Sequence, residues 1–188
     1  VKDNNARETR LGLAFHIPSS QGNDVNALDL ASDILGARES SRLVRVLKKE
    51  KGLVNSIYAS SVTPKDPGLF VISATLDAKN LKPVTETIME EVSRLASKPP
   101  SKEELDRAKT HIESEHIYGR ETVQGMARGV GSYMADLGDP EFEQKYLRLN
   151  EQVTPEQIST VVKNYLTAPN VTVSVLAPEK DSNSLRIE

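Results

Sequence analysis

Cysteine and tryptophan are both absent from this 188-residue chain. Without cysteine there is no disulfide, no thiolate metal ligand and no thiol nucleophile. The same absence fits a reducing or an oxidising compartment, so it leaves location open. Aromatic residues make up only 4% of the chain, too few for the stacking platforms that hold single-stranded nucleic acid. An excess of one charge is missing too: 24 Lys and Arg against 27 Asp and Glu leave a net −3. A nucleic-acid partner needs a basic face, and here the two signs are interspersed. No run is long and apolar enough to make a membrane span. No targeting segment is visible and the chain opens on Val1. It is therefore expected to be a piece of a longer polypeptide, with bacterial cytoplasm and periplasm both open.

What is present suffices for a core. With 37% hydrophobic and 27% charged residues, residues 1–188 read as one globular domain, its core falling between residues 8 and 178. Thr9 to Ile17 alternates, with Leu11, Leu13, Phe15 and Ile17 on one face, and reads as a strand with one buried side. Asp24 is placed to cap a helix carrying Leu28, Ala31 and Leu35, which Gly36 ends. Ser40 or Ser41 is placed to cap a second helix with Leu43, Val46 and Leu47, stopping at Gly52. Val54–Val62 and Leu69–Leu76 flank TPKDPG (63–68) and read as a hairpin.

The rest is mostly helical. Leu81, Val84, Ile88, Val92 and Leu95 recur at helical spacing until KPP (98–100) breaks the run. Ser101-Lys102-Glu103-Glu104 is a capping box opening a helix to about Tyr118. Residues 119–138, punctuated by glycine, read as helical but interrupted, with Gly125 and Gly129 allowing close helix packing. Asp139-Pro140 starts a helix with Phe142, Tyr146 and Leu149. Thr154-Pro155-Glu156-Gln157 is a second capping box, and 170–176 a last strand. The polar tail after Pro178 is expected to be loose. Strands and helices do not alternate, so the fold class is α+β: a two-layer arrangement, mainly antiparallel sheet with helices packed on one face.

One stretch looks catalytic. His111-Ile112-Glu113-Ser114-Glu115-His116 places two histidines and two glutamates within one helix. A zinc-binding helix sets histidines at i and i+4, roughly 40° apart on its surface. His111 and His116 are i and i+5 and diverge by roughly 140°. The inverted signature H-x-x-E-H is missed by one residue. His111 and Glu115 do share i, i+4 spacing, but a third ligand is needed, and the remaining histidine is His16, on a strand. The favoured reading is a packing helix, with His116 part-buried beside solvated Glu113 and Glu115. Gly129-Val130-Gly131 follows no strand, so a phosphate-cradling turn is disfavoured. No serine lies in G-x-S-x-G. The acidic pairs Glu90-Glu91 and Glu103-Glu104 are expected on solvated helix faces.

A more specific pattern is LGARESSRLVRVLKKEKGLVNSIYASS (35–61). It resembles the "LGG–SSRL–LRE–GLAYS" signature of the second, non-catalytic domain in pitrilysin-type (M16) zinc metallopeptidases. PSKEELDRAK (100–109), VTPEQI (153–158) and VTVSVLAP (171–178) follow in the family's order, so the resemblance covers nearly the whole chain. It implies the M16 peptidase, LuxS-like metallohydrolase fold. It also implies a zinc metalloendopeptidase as parent, in which two halves close as a clamshell around a peptide and domains of this type wall the chamber. The zinc ligands, an H-x-x-E-H and a later glutamate, belong to the family's catalytic domain. This chain has neither, so no cofactor is expected in it and zinc is expected in the parent. The implied partners are a catalytic M16 domain, in the same chain or a partner subunit, and a peptide substrate. Lone copies could self-associate into a homo-oligomer through the face meant for that domain.

In many members, this domain of the opposite half supplies an arginine and a tyrosine, seven residues apart, to the substrate. The corresponding positions are Lys48 and Asn55. Lysine keeps the charge but loses the planar two-pronged donor; asparagine keeps a polar tip without the phenol. Tyr58 stands three residues further along. Either the pair comes from another half of the parent, or the parent is an inactive homologue with a structural, assembly role. Arg42, within SSRL, is expected to anchor local structure.

Overall fold

A computed structural model describes residues 2–3 and 7–179, so the loose tail expected after Pro178 lies almost wholly outside the described residues. Among them the sheet has five strands: β1 Lys2–Asp3, β2 Thr9–Ile17, β3 Ser56–Val62, β4 Gly68–Leu76 and β5 Val171–Pro178. Their order is β1-β5-β2-β4-β3. β2 pairs antiparallel with both β4 and β5, and β3 with β4, while β1 runs parallel to β5. β1 was not expected; two residues carry no readable alternation.

The alternation of β2 works as read. Leu11, Leu13, Phe15 and Ile17 are buried. Register brings Leu13 opposite Ile72, Phe15 opposite Phe70 and Leu11 opposite Ala74, all on the same side. That side is covered by the helices α1 Val25–Ser32, α2 Leu81–Ser97, α3 Lys102–Gly119, α5 Phe142–Gln152 and α6 Pro155–Tyr165, while α4 Val123–Leu137 packs outside them on α3 and α5. Leu28, Val84, Ile88, Leu95, Ile158 and Val162 reach 0% exposure beneath them. Fully burying such side chains contributes roughly 1.5–3 kcal/mol each. The α+β two-layer reading therefore holds.

Both capping boxes form. Glu104 N–H donates to Ser101 Oγ and Ser101 N–H to Glu104 Oε2; Thr154 and Gln157 repeat the exchange. Other local expectations change. Asp24 precedes α1 but makes no side-chain cap bond; its Oδ2 accepts from Tyr165 Oη at 2.7 Å instead. Beyond α1 the chain widens into π-helical turns at Asp33–Ala37 and Val44–Glu50. Ser41 caps neither: its Oγ donates to the Asp33 carbonyl at 2.6 Å and accepts from Arg38 N–H at 3.0 Å. Pro140 falls just before α5, whose first residue is Phe142.

Residues 119–138 are less interrupted than their glycines suggested, because α4 runs unbroken over Val123–Leu137. Gly125 serves the α3–α4 turn: a Cβ there would meet the Gly119 carbonyl oxygen at 2.0 Å. At Gly129 an added Cβ would meet only Tyr133 of the same helix, at 4.0 Å, so no other helix packs closely there. α4 instead leaves Val123, Met126, Val130 and Met134 exposed along one stripe.

Candidate functional site

The residues of LGARESSRL do structural work that the structure makes explicit. Leu35, Leu43 and Leu47 are fully buried. Gly36 lies so close to β3 that a Cβ would meet Ala59 N at 2.7 Å and Ala59 Cβ at 2.8 Å. Ser41 staples the turn to Asp33 and Arg38. Arg42 Nε donates to Glu104 Oε1 at 2.8 Å and its Nη2 to Oε2 at 2.9 Å. This two-pronged bond carries more than a single contact, and it holds Glu104 well below the usual carboxylate range. Since Glu104 also completes the Ser101 capping box, Arg42 ties the SSRL turn to the start of α3. That is the anchoring role read for it.

The hexapeptide of α3 is divided between two such locks. His111 Nδ1 donates to Asp33 Oδ2 at 2.6 Å, and Arg38 pairs with the other oxygen of Asp33. Burial pushes the Asp33 carboxyl up, against the pull of Arg38 and His111. His111 Nε2 stands 3.8 Å from Glu115. His116 turns away, its Nδ1 3.0 Å from Glu143 Oε1 and its ring 5.3 Å from that of Tyr146. Glu143 also holds Arg120 at 3.0 Å. His116 is half-buried, and Glu113 and Glu115 are exposed, as the packing reading has it. Among the described residues no three His, Asp or Glu groups gather where they could hold a metal ion. The hexapeptide's two rings therefore face different carboxylates and do not converge on one point.

The acidic pairs are less solvated than expected. Glu91 is 3% exposed and pairs with Arg94 at 3.1 Å. Its position was readable, for 91 falls three after Ile88 and four before Leu95 on the buried stripe of α2. Glu104 is half-buried against Arg42.

Lys48 and Asn55 bracket the turn into β3 and are both exposed. Lys48 Nζ reaches Glu39 at 3.2 Å, and Asn55 Nδ2 donates to Glu8 Oε1 at 2.7 Å. Their side chains are thus held by different partners. Tyr58 is 51% exposed and sits on the side of the sheet that the helices leave uncovered. Register assembles that side from rows: Tyr58, Ser73, Gly12 and Ser174, then Ser60, Val71, Ala14 and Thr172. Small residues predominate at its centre, and a Cβ on Gly12 would meet only Ser174 O, at 3.9 Å. Motif reasoning missed this broad, shallow floor, although the even positions of TRLGLAFHI carried it.

Residues 1–112 match a family model described as the peptidase M16 inactive domain. Among curated proteins the chain is similar to an uncharacterized zinc protease of Streptomyces coelicolor, 24% identical over 161 residues, which are 86% of this chain and 35% of that protein. The chain spans about a third of the length of the curated relatives it matches. Among solved structures it resembles a protease from Helicobacter pylori, with a TM-score of 0.85 at 20% identity, over 95% of this chain and 43% of the other. It also resembles a chain of Complex III2 from Candida albicans, with a TM-score of 0.82 at 14% identity, over 94% and 44%. These two likenesses concern the fold. No helix among the described residues is long and apolar enough to cross a membrane.

Proposed function

The chain belongs to the peptidase M16 inactive-domain family, and from that premise we propose that it is the substrate-enclosing, non-catalytic domain of a zinc metalloendopeptidase. The parent hydrolyses peptides inside a clamshell chamber, and the zinc and the hydrolytic step belong to its other parts. The observation that carries this reading is the uncovered sheet face, with its floor of Gly12, Ala14, Ser60, Ser73 and Ser174. A sheet with one bare face is stable when that face is polar or small, and such a face accommodates an extended peptide without selecting its side chains. The exposed stripe of α4, from Val123 to Met134, is apolar enough to be covered by a neighbouring domain of the parent. Lys48 and Asn55 stand at the family's substrate-facing positions, without the arginine and tyrosine chemistry.

A substitution on the floor tests this. In the full-length parent, Gly12→Trp is expected to reduce kcat/KM for a long peptide by at least about tenfold, some 1.4 kcal/mol of lost transition-state stabilisation. Zinc content and thermal stability are expected to stay unchanged, because Gly12 has room above it. Glu103→Trp, on the exposed side of α3, serves as control. Equal kcat/KM in both variants would remove the chamber-wall assignment.

The second reading is an assembly domain of an inactive homologue. The fold likeness to the Complex III2 chain, together with the missing arginine and tyrosine, favours it. An intact H-x-x-E-H and later glutamate in the parent or a partner subunit decides for the peptidase; their absence decides for the assembly role.

A further inference from the structure

A second feature lies away from the sheet floor. A cavity of about 270 Å³ opens between α1, α3, α4 and α5, lined by Asp29, His116, Tyr133, Phe142 and Tyr146 among others. Four rings run continuously along it. Tyr133 and Phe142 have centroids 5.6 Å apart, Phe142 and Tyr146 6.2 Å, and Tyr146 and His116 5.3 Å. Asp29 faces the same space, its Oδ2 accepting from Tyr146 Oη at 2.7 Å. The two carboxylates nearby are treated differently. Glu143 is matched by His116 and Arg120. Asp29 is half-buried and feels the charge of His116, but it makes no contact ion pair among the described residues.

A carboxylate with no contact ion pair among the described residues, sharing a cavity with Tyr133, Phe142 and Tyr146, has a defined chemical complement. Aromatic faces attract organic cations through their quadrupole, and a buried acid gains most from an opposite charge that brings its own donors. The hydroxyl oxygen of Ser20, also on the wall, is buried and has no hydrogen-bond partner among the described residues. It offers a second acceptor. The volume lies just under the range of small-molecule clefts, roughly 300–1,000 Å³, and suits one amino-acid side chain. A wider cleft of about 600 Å³ shares the walls Ser20, Val25, Leu137 and Phe142 and leaves space for whatever the side chain hangs from. We propose that the cavity binds an alkylammonium group on an apolar stem, as in a lysine side chain or a free diamine. Asp29 supplies the counter-charge and Tyr133, Phe142 and Tyr146 the walls.

The test titrates the 188-residue chain at neutral pH with Nα-acetyl-lysine methylamide, followed by calorimetry and by chemical-shift changes around Asp29. Saturable binding is expected. It should weaken at least about tenfold, or 1.4 kcal/mol, with Nα-acetyl-norleucine methylamide, which keeps the four-carbon stem and lacks the ammonium nitrogen, and by as much in Asp29→Asn. 1,5-Diaminopentane separates the sources: tighter binding of the lysine derivative assigns a peptide side chain, tighter binding of the diamine a free amine. The proposal is overturned if the norleucine compound binds equally well. It is also overturned if Asp29→Asn binds the lysine compound undiminished, or if neither cation saturates the chain in the millimolar range.

Discussion

Gly36→Ala is expected to destabilise the domain by roughly 3 kcal/mol, at the upper end of what overpacking a core usually costs. The added methyl would stand 2.7 Å from Ala59 N and 2.8 Å from Ala59 Cβ. Neither atom belongs to a flexible side-chain tip, so relief requires β3 to move, and β3 is tied to β4 along its length. In an ordinary helix the same change would stabilise by about 0.5–1 kcal/mol, so the sign itself is informative. Gly129→Ala provides that comparison, since the added methyl would come no closer than 4.0 Å to Tyr133, and a small gain is expected there. At about 2–4 °C per kcal/mol for a chain of this size, thermal melts should place the two variants on opposite sides of the wild type. A neutral Gly36→Ala would mean that the close approach of the first π-helical turn to β3 is not what this position maintains.

The second large effect is one of pH. Burial lifts the Asp29 carboxyl from 3.8 to about 6, against the opposing pull of the hydrogen bond from Tyr146. A group whose folded value lies above its unfolded one contributes stability that is complete below the unfolded value and lost as pH rises through the folded one. Asp29 should therefore cost the fold progressively between about pH 4 and pH 6, by up to roughly 3 kcal/mol at neutral pH. Asp29→Asn keeps an acceptor for Tyr146 and removes the ionisation. The variant is expected to be more stable than wild type at pH 7 by about 1–2 kcal/mol, after some hydrogen-bond loss, and no more stable near pH 4. Urea unfolding of both proteins across this range reads the difference directly, cancelling Glu104 and the other carboxylates they share. A constant difference across the range would show that Asp29 titrates normally.

Much of the fold was legible because its signals are local. The alternation of Thr9–Ile17 defines β2 to the residue, and both capping boxes mark helix starts that form as written. The losses arose where tertiary contact overrides local preference. The π-helical turn after α1 carries Gly36 against Ala59, a contact between two positions far apart in the chain. Glu91 was read by residue type as solvated, although its spacing put it on the buried stripe. The glycines of α4 suggested breaks, but an exposed helix tolerates them. At the candidate sites, Lys48 and Asn55 are singled out only by resemblance to a signature, and their contacts to Glu39 and Glu8 have no local cue. The aromatic cavity draws on Ser20, Asp29, Thr63, His116, Tyr133 and Tyr146, and no spacing rule links such distant positions. For His111 and His116 the i, i+5 separation was informative: the structure sends one ring to Asp33 and the other to Glu143.

The most direct measurement of the central claim uses this chain and the remainder of its parent, prepared separately and then mixed. Zinc is measured on each, and hydrolysis of a long peptide is followed for each alone and for the mixture. The account predicts zinc with the remainder and not with this chain, no hydrolysis by this chain alone, and a rise of at least about tenfold when the two are combined. Stoichiometric zinc bound to this chain, with peptide hydrolysis by it alone that a chelator abolishes, would contradict it.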